Sequence, residues 1–131
     1  MYVKTTKAIR ITARPIFLED KSVPEEMKFF WAYQITIKNT GKETVCLKSR
    51  YWQITDSFGR VLEVKGEGVV GLQPVLKPGE MFEYTSGTPL SAPSGVMVGK
   101  YEMETLSSGQ VFWTDIPPFS LDSPHQLKLL H

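Results

Sequence analysis

The chain has 131 residues, 41% of them hydrophobic and 22% charged, with a formal net charge of +1 and a pI near 7.8. That length suits one domain, spanning residues 1–131, with a core large enough to fold without cross-links. The near-neutral balance, with no Lys/Arg run, argues against a dedicated nucleic-acid binder. The single cysteine, Cys46, excludes an intrachain disulfide framework, and no run approaches the ~18 apolar residues of a membrane span.

From the N-terminus, Met1 to Thr6 shows no apolar stretch of the kind a signal peptide carries, so a cytoplasmic protein without membrane insertion is expected. Ala8 to Ala13 alternates Ile9 and Ile11 with Arg10 and Thr12, and Pro15 then predicts an edge strand or a bend. The clearest signal follows. Phe29, Trp31, Tyr33, Ile35 and Ile37 alternate with Lys28, Gln34, Thr36 and Lys38, placing one set on one face of a strand. Asn39-Thr40-Gly41-Lys42 ends it as a turn, with Gly41 available for positive φ. The next strand runs from about Thr44 to Asp56. Its apolar phase starts odd (Val45, Leu47) and ends even (Trp52, Ile54), which predicts a bulge between Ser49 and Tyr51.

Ser57-Phe58-Gly59-Arg60 predicts a turn into Val61 to Lys65, with Leu62 and Val64 inward. Leu76-Lys77-Pro78-Gly79-Glu80 predicts another, feeding Met81 to Ser86 with Phe82 and Tyr84 inward. Gly87 to Gly95, with two prolines and two glycines, is expected to be a long loop. Val96 to Leu106 places Met97, Gly99, Tyr101 and Met103 on one face. Ser107-Ser108-Gly109 turns into Gln110 to Ile116, and Pro117-Pro118 is expected to end that strand. Seven or eight short strands without a helix predict an all-β immunoglobulin/fibronectin-III-like β-sandwich of two antiparallel sheets; a small closed barrel is the alternative.

Gly66-Glu67-Gly68-Val69-Val70-Gly71 matches the dinucleotide pattern G-x-G-x-x-G. That pattern works only where a helix follows and its N-terminus holds pyrophosphate. Here Pro74 and Pro78 oppose a helix, so the segment is expected to be a tight inter-strand loop, with an anion nest or a partner-binding loop as functional alternatives. His125 and His131 lie six residues apart without a second cluster, and Cys46 has no C-x-x-C partner, so neither a metal site nor a cofactor is expected; weak Mg²⁺ association through carboxylates stays open. Glu102 and Glu104 share a strand face opposite the apolar row, which predicts solvation rather than acid–base work. Lys48, Arg50 and Trp52 form a small basic–aromatic cluster, a candidate partner surface whose bland alternative is a solvated edge. Trp31 is expected in the core. Trp113 lies in a strand of mixed phase and is a candidate for the surface. No catalytic constellation emerges.

Several longer runs carry a family resemblance. Gly66 through Pro74, Leu76 through Glu80, Phe82 through Gly87, Gly95 through Tyr101 and Phe112 through Phe119 resemble the ApaG family over essentially the whole chain. The resemblance implies a fibronectin-III-like sandwich; with no catalytic constellation in the residues, a non-enzymatic binding module of this type is expected. Bacterial members are named for a neighbouring diadenosine tetraphosphate hydrolase gene and carry an association with cobalt and magnesium efflux. Similar domains sit in an F-box protein and a DNA polymerase delta-interacting protein, which implies a protein partner. The family's glycine motif, on Gly66, Gly68 and Gly71 in this chain, implies a phosphate-containing small molecule, such as a nucleotide, dinucleoside polyphosphate or pyrophosphate, as the alternative ligand. Edge strands would also support a homodimer.

Overall fold

The computed structural model describes residues 1–125, which build nine strands in two antiparallel sheets. The first sheet orders β1 (Tyr2–Thr6), β2 (Ile9–Phe17), β3 (Phe29–Asn39) and β7 (Met81–Leu90) in the sequence β1-β2-β3-β7. The second orders β5 (Val61–Glu67), β4 (Val45–Asp56), β8 (Ser94–Thr105) and β9 (Val111–Asp122) as β5-β4-β8-β9, with the two-residue β6 (Val75–Leu76) pairing β4 beyond the end of β5. Between β2 and β3 the chain makes only two 3-10 turns, Glu19–Lys21 and Pro24–Glu26. The sandwich expectation holds, with nine strands instead of seven or eight.

The core lies between the sheets. β3 alternates buried and half-buried residues without a break along all eleven positions, as its sequence pattern requires. On β8, Met97, Tyr101 and Met103 face inward and are buried. The phase change in β4 is absorbed by a bulge at Lys48, where the register against β8 shifts between Leu47 and Ser49; the expected site was two residues later. Pro15 lies beyond the last residue of β2 that pairs β1, so its missing N–H faces no strand.

Three expectations fail for one reason: the position of a strand in its sheet decides what it tolerates. Gly87 to Leu90 continue β7, and only Ser91 to Pro93 form a loop. Pro89 is accommodated because β7 is a sheet edge. β9 runs through Pro117-Pro118, because β9 is likewise an edge and the register against β8 shifts there, bulging the strand. Leu62 is exposed although it shares the inward side with Val64, since β5 is an edge with no sheet beyond it. The turn after β3 is also organised differently. Gly41 does not adopt positive φ; its N–H donates to Asn39 Oδ1 at 3.0 Å, while the buried Asn39 amide donates to the carbonyls of Glu43 (2.7 Å) and Leu76 (2.9 Å).

The two long sides of the sandwich differ. On one, Lys4 pairs with Asp115 at 3.2 Å and the Asp115 N–H donates to Thr6 Oγ1 at 3.3 Å, drawing β1 against β9. On the other, β5 and β7 are both edges, bridged near one end where Arg60 Nη2 donates to the Ser91 carbonyl at 2.9 Å. The glycine segment lies on that open side.

Candidate functional site

Arg50 organises the open side. It pairs with Gly66 across the β4–β5 ladder, and its guanidinium lies against that glycine. A Cβ at Gly66 would sit 2.8–2.9 Å from Arg50 Nη1, Cζ and Nη2. From there Nη1 donates to the carbonyls of Glu67 (3.1 Å) and Gly68 (3.0 Å). The backbone then closes a two-residue hairpin: Val69 and Leu72 exchange both N–H···O bonds, at 2.8 and 2.9 Å. Val70 and Gly71 at its tip have φ of 44° and 80°, the double positive φ of a type I′ turn. Val69 is fully buried beneath the tip, whereas Val70 is 55% exposed. Leu72 and Val75 are exposed beside it.

This geometry bears directly on the glycine motif. No helix follows Gly71; the chain passes through Pro74 into β6. The N–H groups of Gly68, Val69 and Leu72 donate to the carbonyls of Lys48, Leu72 and Val69. Those donors are therefore engaged within the loop, and an anion at the glycines would have to displace them. Glu67, the remaining member of the motif, is exposed on the edge strand.

Of the basic–aromatic cluster, Lys48 is the bulge residue. Its carbonyl accepts from Gly68 N–H and Gln73 Nε2, both at 2.9 Å. β4 is an inner strand, so the solvated-edge alternative does not describe Lys48 or Arg50. Trp52 is 2% exposed and packs in the core, reaching only the wall of a narrow cleft between the sheets, because the bulge turns the even-numbered residues after it inward. The accessible tryptophan is Trp113, 40% exposed. It lies on the outer face of the second sheet, with Lys100 Nζ 4.6 Å from its ring centre and 5.7 Å from that of Tyr51. These side chains flank a shallow concavity of about 720 Å³ that Arg50 and Gly66 also line. Glu102, half-buried on that face, accepts a hydrogen bond from Ser49 Oγ at 3.0 Å.

Sequence reasoning missed one buried feature. Tyr84 on β7 and Tyr101 on β8 bring their hydroxyls together across the core in a short hydrogen bond. Burial pushes both hydroxyls well above the ordinary tyrosine range, with the Arg50 charge pulling weakly the other way. A raised folded-state pKa means stability that is complete below pH ~10 and is lost as pH rises toward the folded value, because the unfolded chain releases its protons first. Melts between pH 8 and 11 are expected to show stability falling beyond pH ~10 by up to about 1.4 kcal/mol per pH unit for each of the two groups. Phenolate absorbance should show both protons released only on unfolding.

Among the described residues no three His, Cys, Asp or Glu side chains converge, and no helix is long and apolar enough to cross a membrane. Cys46 is buried, with its thiol toward the Gln73 carbonyl at 3.6 Å. His125 rests against the Phe17 and Phe29 rings and contacts Glu19 at 3.2 Å; His131 lies outside the described residues.

Fold and site together define an immunoglobulin-type β-sandwich domain with one open side and a locked hairpin on it. A model of the ApaG domain matches residues 19–105, and the chain belongs to the ApaG family. It is 59% identical to Protein ApaG of Parvibaculum lavamentivorans over 131 residues, all of both chains. It is 61% identical to Protein ApaG of Rhodospirillum centenum over 125 residues, 95% of each. The crystal structure of the putative ApaA protein from Bordetella pertussis is similar at a TM-score of 0.86 and 42% identity, covering 90% of this chain and 95% of that one.

Proposed function

We propose that this ApaG chain is a non-enzymatic recognition module that binds another protein through the tip of the Val69–Leu72 hairpin. Val70 carries the reading. A β-branched residue at positive φ is strained by about 1–3 kcal/mol, and a two-residue hairpin of this type favours Asn-Gly or Asp-Gly. This chain instead keeps a valine at φ 44° and exposes its side chain. Strain maintained at an exposed apolar tip fits a contact made outside the domain. Leu72 and Val75 extend that contact, and three apolar groups on one loop suit an apolar recess on a partner. The loop is also preorganised, by the buried Val69 and by the Arg50 bonds to its base, which lowers the ordering cost of association. A phosphate-bearing ligand on the same glycines has less support, because three of the N–H groups it would need already hold the loop together.

Val70→Asn separates stability from recognition. Relief of the strain is expected to stabilise the domain by about 1 kcal/mol, or raise Tm by roughly 3–5 °C. Affinity capture with the wild-type chain and with this variant as baits is expected to recover a partner that only the wild type retains. Equal capture by both baits would overturn the reading. Sedimentation of the pure chain checks whether the partner is a second copy.

A further inference from the structure

The open side holds a second feature, chemically unlike the hairpin tip although Arg50 serves both. Arg50 leaves the inward face of β4, passes over Gly66 and reaches a cleft of about 150 Å³ whose lining joins Ser86, Gly87 and Thr88 of β7 to core side chains such as Trp52 and Val64. A guanidinium has five N–H donors. Nη1 serves the Glu67 and Gly68 carbonyls. Among the described residues, Nε and Nη2 donate to nothing, and Arg50 forms no ion pair. Neither nitrogen is fully buried, so both are open to solvent and free to take an anion in place of water. Facing it, Ser86 offers an inward hydroxyl, and β7 as a sheet edge leaves alternate backbone N–H groups without a strand partner.

We propose that this slot is an oxyanion site, built on Arg50 and sized for one carboxylate or one phosphate group. The volume decides the class of ligand. Sites for whole nucleotides or similar molecules occupy about 300–1,000 Å³, whereas about 150 Å³ admits a single anionic group. Its source is either a free anion or an acidic side chain on an extended segment that adds to the β7 edge.

Isotope-labelled protein is titrated at constant ionic strength with sodium acetate, with inorganic phosphate, and with a short capped peptide carrying a central Glu, its Gln twin serving as control. Saturable shifts are expected at the Ser86, Gly87 and Thr88 amides and at the Arg50 Nε–H, at least about tenfold weaker in Arg50→Gln because charge-assisted bonds are lost. Response to acetate or phosphate identifies a free anion. Tighter binding of the Glu peptide than of acetate, with none for its twin, identifies a chain-borne carboxylate. Silence with every probe, or shifts confined to other residues, would overturn the site. Because Arg50→Gln also releases the loop carbonyls, Ser86→Asp supplies the anion internally with Arg50 intact. Tm is then expected to rise and the anion response to vanish; a lower Tm with an undiminished response would overturn the proposal.

Discussion

Truncating Trp52 to alanine is expected to remove about 3–5 kcal/mol of folding stability, lowering Tm by roughly 10–20 °C. Domains of this size hold about 5–15 kcal/mol in all, so one side chain would account for a large share. The indole is 2% exposed. Its ring lies 5.3 Å from that of Tyr33 and 5.9 Å, edge-on, from that of Phe119, centre to centre, which joins both sheets through β3, β4 and β9. Gly99 on β8 makes the room: a Cβ there would lie 2.7 Å from Trp52 Cε3 and 2.6 Å from the Tyr51 carbonyl oxygen. The void left by truncation is framed by backbone and aromatic rings, which collapse poorly, so the cost belongs at the upper part of the range. Urea unfolding checks this, with the denaturant slope unchanged if only the native state is affected. Trp113→Ala is the contrast, expected to cost no more than about 1 kcal/mol because Trp113 is 40% exposed. Similar small losses at both positions would mean that Trp52 belongs to a surface after all.

The sequence revealed most where side-chain period and strand position agree. β3 is readable because both of its neighbours are strands and one of its faces is core, so a period of two survives along its length. In β4 the switch from Leu47 to Trp52 announced a bulge, and the bulge in turn makes Trp52 internal. The proline-containing strands were opaque because proline reports only a missing donor, not whether any partner wanted it. Pro89 stands on an edge and Pro117-Pro118 in a bulge, and neither circumstance is visible before the sheet order is known. The site was harder still. That Arg50 lies over Gly66 depends on the β4–β5 register, and the Val70-Gly71 turn lacks the Asn-Gly signature that marks a two-residue hairpin. The glycine motif was conspicuous in sequence, yet its meaning is set by different surroundings: Arg50 beside Gly66, the Leu72 carbonyl beside Gly68 and open space at Gly71.

Those surroundings predict an unequal ranking. Gly68→Ala is expected to cost about 3–5 kcal/mol, from the strain of a non-glycine residue at positive φ together with overpacking. Its φ is 62°, and an added Cβ would lie 2.1 Å from the Leu72 carbonyl oxygen, a backbone atom. That oxygen accepts the Val69 N–H, so relieving the clash opens the hairpin and exposes Val69, which is fully buried. Gly71→Ala meets no atom within 4 Å and bears only the left-handed backbone cost of about 1–2 kcal/mol. Gly66→Ala displaces the flexible end of Arg50 and forfeits its bonds to the Glu67 and Gly68 carbonyls, about 1–3 kcal/mol. Denaturant unfolding of the three variants should therefore place Gly68 well apart from the other two. A phosphate cradle would make a different demand, since all three glycines would then matter chiefly to ligand affinity and little to the stability of the free chain. Three near-neutral stabilities would remove the structural account of the motif, whereas the ranking above would tie it to the locked hairpin that holds Val70 at its exposed tip.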